Sequence, residues 1–151
     1  MTVIEGGGSA APAGSPRTVL TPTDPVRLVM ARRLVGVDSD VSLRQIAREL
    51  YECEIGVVLV DNPGGPTGLL SERDLVAAVA DGDDLDERQA LDVMTADLVT
   101  AGPDDTIASV GALMCEAGVR HVPVVVHGTV VGVVSIRDVL GVLLPGQGGT
   151  V

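Results

Sequence analysis

Two short stretches carry the residues best placed to do chemistry: Ser71-Glu72-Arg73-Asp74 and Ser135-Ile136-Arg137-Asp138. In each, a hydroxyl and a carboxylate three residues apart follow an apolar run opened by a glycine, Gly68 or Gly132. Such a run predicts a strand that delivers the serine to a helix N-terminus and sets the aspartate in the first turn. A carboxylate there can accept two hydrogen bonds from a cis-diol, while the serine hydroxyl and nearby amides can meet anionic oxygens. The same spacing approximates a capping box, in which Ser71 or Ser135 caps the helix and the acid favours its dipole. Spacing alone leaves both uses open.

Composition removes several other chemistries. The 151 residues carry a formal charge of −11, and all ten basic residues are arginine. Without lysine there is no phosphate-loop lysine and no Schiff-base lysine. A strongly acidic chain with 1% aromatic residues also lacks the basic face and stacking platforms that nucleic acid requires. Catalysis needs an activated nucleophile, a matched acid and base, or a metal. The two histidines, His121 and His127, sit beside one hairpin with no acid or cysteine at a recognisable spacing, and a two-histidine metal site there is a weak reading. Cys53 and Cys115 are too few for a disulfide framework and are expected as core thiols in a reducing compartment. The chain is therefore expected not to be an enzyme and to need no cofactor.

The elements that must position these residues are written twice. The second half repeats the first at a constant offset of 64 residues: Val29-Met30 matches Val93-Met94, Ser42-Leu43 matches Thr106-Ile107, Gly68 matches Gly132, and Arg73-Asp74 matches Arg137-Asp138. No gap is needed. Each copy predicts a short first strand (Leu34-Val35; Leu98-Val99), a turn, and a helix capped by Ser42 or Thr106. The helices bury the stripes Leu43, Ile46, Ala47, Leu50 and Ile107, Val110, Gly111, Met114. A strand follows (Ile55 to Val60; Val119 to Val126), then a hairpin turn (Asn62 to Pro66; His127-Gly128), a strand from Gly68 or Gly132, and a second helix from about Asp74 or Asp138.

The fold class is thus α/β (α+β), two tandem β-α-β-β-α units. The expected organisation is a disordered arm over residues 1–24, rich in Gly, Ala, Ser, Thr and Pro, and repeat 1 over 25–80. A charged linker over 81–89 leads to repeat 2 over 90–144, and 145–151 form a flexible Gly-rich tail. Arg88 to Met94 is expected to be a short helix entering repeat 2.

With the unit defined, its residues resemble the cystathionine-β-synthase-type (CBS) motif, two of which normally make one Bateman module. The second copy is the closer: Asp92-Val93-Met94, Val99-Thr100, Gly118-Val119-Arg120-His121-Val122-Pro123-Val124, and Gly132-Val133-Val134-Ser135-Ile136-Arg137-Asp138. The resemblance covers about Val26 to Leu144. It implies packing with pseudo-twofold symmetry and two clefts that take adenosine compounds such as AMP, ADP, ATP or S-adenosylmethionine. It also implies that Asp74 and Asp138 grip ribose hydroxyls beside Ser71 and Ser135. By the same likeness Thr100, Arg120, His121 and Pro123 face the second cleft, where a cation could reach phosphates. The surface alternative is a solvated Arg120 and a histidine packed at a strand end. Arg73 and Arg137 read either as phosphate contacts or as helix-start arginines paired with a neighbouring acid. Copy one has Gly36 in place of Thr100, Gly56-Val57 in place of Arg120-His121, and Leu59 in place of Pro123. The second cleft is accordingly the one favoured if a single site is used.

The second helices, Leu75 to Ala80 and Val139 to Leu144, have almost no polar face, whereas covering one side of a sheet needs only a stripe. The surplus predicts association, which the resemblance sharpens into a homodimer, with an unidentified protein target a further partner. The alternative to a nucleotide sensor is a ligand-free scaffold in which Ser-x-x-Asp serves only as a cap. No stretch approaches the ~20 apolar residues of a membrane span, and Met1 to Ala13 has neither the basic region nor the apolar run of a signal peptide. The expected location is the cytoplasm.

Overall fold

The computed structural model describes residues 19–144 apart from Pro66. The expected tail over 145–151 and most of the expected arm lie outside the described residues. A 3-10 turn (Val26–Leu28) opens the fold, followed by β1 (Gly36–Asp38), α1 (Leu43–Glu52), β2 (Val57–Asp61), β3 (Gly68–Ser71) and α2 (Glu72–Asp81). A short helix α3 (Ala90–Val93) precedes α4 (Ile107–Ala117), β4 (His121–Val126), β5 (Thr129–Ser135) and α5 (Ile136–Leu143). One sheet runs β1-β2-β3, with β1 parallel and β3 antiparallel to β2; the other is the β4-β5 hairpin.

Local chemistry accounts for the element ends. Ser42 Oγ accepts from the Gln45 amide at 3.3 Å, and Thr106 Oγ1 accepts from the Ser109 amide at 3.1 Å, so both expected N-caps are present. The buried stripes are Leu43, Ile46 and Leu50 in α1, and Ile107, Val110, Gly111 and Met114 in α4. His127 and Gly128 both take positive φ (48° and 79°), the conformation of a two-residue hairpin turn. Gly118 closes α4 in the left-handed region at φ 67°.

The two halves exchange their leading segments. Val26 is fully buried in the core of repeat 2, among Ile107, Val110, Met114, Val122, Val124 and Val139. Its counterpart at the 64-residue offset, Ala90, is fully buried in repeat 1 among Leu43, Ile46, Val58, Val60 and Leu70. The backbone pairs follow: Ala31 bridges Val133 as Thr95 bridges Leu69, and Pro25 bridges Thr106 as Gln89 bridges Ser42. Each contact recurs with both partners shifted by the same offset, which is the pseudo-twofold relation. Gly68, which opens β3, and Gly132, inside β5, serve the exchange. A Cβ at Gly68 would lie 2.5 Å from Met94 Sδ, and one at Gly132 would lie 2.6 Å from Met30 Sδ. Each methionine packs on the other repeat's strand because that strand offers no side chain there.

Five expectations are corrected. Strand β1 lies two residues beyond Leu34-Val35, and its repeat-2 counterpart is reduced to the bridge between Ala101 and Val124, so Leu98-Val99 is not a strand. The second helices start at Glu72 and Ile136, not at Asp74 and Asp138, because the serines are the N-caps. Helix α3 enters the core of repeat 1 instead of leading repeat 2. Leu20 packs on repeat 2, and the carbonyls of Pro22 and Asp24 accept from the Ala108 and Ile107 amides at the start of α4, so the end of the expected arm is built into the fold. Cys53 and Cys115 are exposed, because each sits at or near the end of its helix, off the buried stripe.

Candidate functional site

A cleft of about 470 Å³ opens between the repeats. Repeat 1 contributes Ser71, Glu72, Arg73 and Asp74 from the β3–α2 junction, with Gly56, Val57 and Leu69 beneath them. Repeat 2 contributes Arg120, His121 and Pro123 from the start of β4, and Leu98 and Val99 from the segment leading to α4. The cleft therefore combines one copy's Ser-x-x-Asp with the other copy's strand start. Its mixed lining, apolar Leu98, Val99 and Pro123 against convergent polar groups, is the pattern of a small-molecule site.

The Asp74 carboxylate has divided duties. Its Oδ2 accepts from the Ser71 amide at 2.7 Å and from the Ser71 hydroxyl at 2.8 Å. Oδ1 has no hydrogen-bond partner among the described residues. Asp138 is held the same way: Oδ2 accepts from the Ser135 amide at 2.9 Å and hydroxyl at 2.8 Å, and the Asp138 amide donates back to Ser135 Oγ at 3.2 Å. The cap thus occupies one carboxylate oxygen and leaves the other, with two lone pairs, for a diol. Capping and ligand contact, opposed when only the spacing is known, are geometrically compatible.

His121 lies across the cleft from Glu72. A Cβ at Gly56 would meet His121 Nε2 at 3.1 Å and Glu72 Oε2 at 3.7 Å, so the absence of a side chain at Gly56 makes room for the imidazole. Burial holds the His121 pKa below the ordinary histidine value; the carboxylates of Glu72 and Asp138 oppose that shift, and Arg120 adds to it. The Arg73 guanidinium donates to the Gly118 carbonyl at 3.4 Å, a contact across the repeats in place of the neighbouring acid expected for it.

The expected site residues divide accordingly. Ser71, Asp74, Arg120, His121 and Pro123 come together in the cleft. Ser135, Asp138 and Arg137 belong to the opposite junction and do not line it, and Thr100 lies exposed one residue beyond Val99. Gly36 borders a separate acidic notch with Asp38, Glu49 and Asp61. This cleft thus draws on both copies and not on one, because exchange of the leading segments sets one repeat's helix start against the other's strand. Glu72 and Asp97 are cleft residues to which the sequence motifs assign no role. The repeat alignment held their signal, since Glu72 and Asp97 stand where Ile136 and Arg33 stand in the other half.

On the helices flanking the repeats, Val76 and Val79 of α2 are 67% and 60% exposed, and their offset counterparts Leu140 and Leu143 of α5 are 44% and 39% exposed. Four apolar side chains related by the pseudo-twofold therefore lie open to solvent. Among the described residues, no helix is long and apolar enough to cross a membrane.

The profile of the CBS domain matches the chain twice, over residues 21–81 and 90–145. An uncharacterised protein of Methanopyrus kandleri is 36% identical over 118 residues, which cover 75% of this chain and 60% of that protein. In a second archaeal relative, from Methanocaldococcus jannaschii, the match covers 43% of the length, so the chain spans about half the length of these curated relatives. Among solved structures, the CBS-domain containing protein ATU1752 from Agrobacterium tumefaciens is 31% identical with a TM-score of 0.74, over 81% of this chain and 95% of that one. The CBS domain pair of protein MJ0100, solved in complex with 5′-methylthioadenosine and S-adenosyl-L-methionine, has a TM-score of 0.72 at 22% identity, over 81% of this chain and 97% of that one.

Proposed function

The chain belongs to the CBS-domain family, as a tandem pair, and from that premise we propose that it is a non-enzymatic regulatory module that binds an adenosine compound in the cleft between its repeats. The observation that carries this reading is the Asp74 carboxylate, fixed by its cap through Oδ2 and open through Oδ1 at the wall of a cleft of about 470 Å³. Oδ1 accepts from the ribose hydroxyls, the Ser71 side of the junction holds the carboxylate in place, and Leu98, Val99 and Pro123 supply an apolar wall for the base. The adenosine ligands of the MJ0100 pair, a protein of the same fold, support the same ligand class here. Binding between repeats gives such a ligand a lever, since whatever it contacts on both sides it also draws together.

Association through α2 and α5 follows as part of the proposal. Val76, which also borders the cleft, and Val79 on α2 are matched at the 64-residue offset by Leu140 and Leu143 on α5, all exposed, so a second copy would meet them with the same residues under closed twofold symmetry. A homodimer is the form in which the module would answer its ligand, in the cytoplasm and toward a protein target.

Thermal unfolding across AMP, ADP, ATP and S-adenosylmethionine tests the ligand reading. A ligand at ~100 times its Kd adds ~2.7 kcal/mol to stability, and Asp74→Asn should cut that gain to about half or less. If no compound shifts the midpoint, or if Asp74→Asn responds as the unaltered chain does, the adenosine reading fails. The scaffold reading, favoured by the complete cap at Asp138, would then account for both motifs.

A further inference from the structure

Resting on the adenosine-binding reading, we propose that this cleft selects an adenosine compound whose 5′ substituent is neutral or cationic, a thioether or sulfonium, over one bearing a polyphosphate, and that Glu72 and Asp97 are its specificity-determining residues. Three observations carry the proposal. First, the lining holds the carboxylates of Glu72, Asp74 and Asp97 with the guanidiniums of Arg73 and Arg120 and the half-buried His121 imidazole. The chain as a whole carries a formal charge of −11, so the field beyond the cleft also opposes anions.

Second, the usual anion-binding device at a helix start is partly occupied. The N-terminus of α2 faces the cleft, and free amides there would attract phosphate. Here the Ser71 amide donates to Asp74 Oδ2 at 2.7 Å and the Glu72 amide donates to the Gly56 carbonyl at 3.1 Å. Two acidic side chains, Glu72 and Asp74, stand in that first turn. Arg73, one of the two cations, directs its guanidinium to the Gly118 carbonyl. A polyphosphate would meet three carboxylates with Arg120 as the one guanidinium turned to no other partner among the described residues, whereas a positively charged tail would meet the carboxylates favourably.

Third, the acidic pair is particular to this cleft and is not a requirement of the repeat. At the 64-residue offset Glu72 becomes Ile136 and Asp97 becomes Arg33, while Ser71 and Asp74 remain Ser135 and Asp138. The capping and diol-binding groups are kept in both halves; the charges beside them are not. The other half of the molecule thus shows that the architecture tolerates an apolar residue and an arginine at these places.

Calorimetric titration of the full chain with S-adenosylmethionine, 5′-methylthioadenosine, AMP and ATP tests the proposal, each at two salt concentrations. The thioether and sulfonium compounds should bind at least about tenfold tighter than ATP, and the gap should narrow as salt screens exposed charge. Glu72→Ile with Asp97→Arg should shift the ATP-to-S-adenosylmethionine affinity ratio toward ATP by about tenfold or more, the order expected for three charge units at cleft distances in a mostly aqueous dielectric. Asp97→Asn alone should move the ratio the same way by a smaller factor, which keeps the test open if the double variant fails to fold. ATP binding as tightly as S-adenosylmethionine to the unaltered chain, or a ratio unmoved in every folded variant, overturns the charge selection while leaving adenosine binding intact. No binding by any of the four removes the underlying reading and this proposal with it.

Discussion

Gly68→Ala tests the exchange on which the cleft depends, because the residue that resists it, Met94, comes from the leading segment of repeat 2. The added Cβ would lie 2.5 Å from Met94 Sδ, 2.9 Å from its Cγ and 3.1 Å from its Cβ, whereas carbon contacts are comfortable at roughly 3.5–4.0 Å. Overpacking of this kind costs about 1–3 kcal/mol, and the reduced freedom of the unfolded chain returns about 0.4–1 kcal/mol of it. The expected net loss is about 1–2 kcal/mol. The three nearest atoms all belong to the Met94 side chain, so in a Met94→Ala background, which removes the Sδ and Cγ contacts, most of the clash disappears and Gly68→Ala should be near neutral. The double-mutant cycle should show a coupling of about 1 kcal/mol or more. Urea unfolding followed by far-ultraviolet circular dichroism is the suitable assay, since Tyr51, the only aromatic residue, is exposed and reports little of the core. Gly132→Ala gives the internal contrast: its Cβ would also meet the Ala31 carbonyl oxygen at 3.0 Å, and that oxygen is held by the Val133 amide, so Met30→Ala should rescue it less completely. An equal cost for Gly68→Ala with and without Met94 would refute the exchanged packing.

Three further outcomes are expected. Asp74→Asn should weaken adenosine-ligand affinity at least about tenfold by calorimetry, since a carboxylate-accepted hydrogen bond is replaced by a weaker one, while Asp138→Asn should change it by less than about threefold; the reverse order would move the site to the Ser135 junction. Burial lowers the His121 pKa, so its neutral form contributes stability that is complete above the ordinary histidine pKa of about 6.5 and is lost as pH falls through that value toward the lowered one. Between pH 7 and pH 5 the unfolding free energy should therefore fall less steeply for His121→Gln than for the unaltered chain, and parallel slopes would contradict this. Val79→Glu with Leu143→Glu should give a monomer in sedimentation equilibrium with an unchanged circular dichroism spectrum, because both side chains are mostly open in the single chain; a dimer that survives the pair of charges places the interface elsewhere.

The repeat made most of the fold legible. A gap-free offset carries element order, the N-caps Ser42 and Thr106 and the buried stripes from one half to the other, because capping and helical periodicity are set by residues three or four apart. What escaped was set by long-range partners. Leu98-Val99 has the apolar character of a strand, yet the segment pairs only at Ala101, and its first residues instead wall the cleft. Cys53 and Cys115 read as core residues by type, but each sits off its helix's buried stripe, and position along the helix outweighs residue type. Residues 20–24 have the composition of a disordered arm, yet their carbonyls receive the free amides at the start of α4.

The choice of cleft was beyond the sequence for a related reason. A repeat alignment compares residues at matching places in the two halves, and so it groups Ser135 and Asp138 with Arg120, His121 and Pro123, their neighbours in the same copy. The fold groups residues across the halves. Once Val26 and Ala90 each enter the other repeat's core, the β3–α2 junction of one copy faces the β4 start of the next, and Asp74 joins Arg120 and His121. Gly56 and Val57, the counterparts of Arg120 and His121, line the same cleft, and a Cβ at Gly56 would touch the His121 imidazole, so the two strand starts meet there. The Asp138 carboxylate acts on His121 as Glu72 does, so the imidazole is within range of both junctions. The inequality of the copies therefore lies in what stands beside each helix start: Glu72 and Asp97 on one side, Ile136 and Arg33 at the matching places on the other. Differences that look like a strong repeat and a weak one are, in three dimensions, two unlike helix starts set about one meeting of strands.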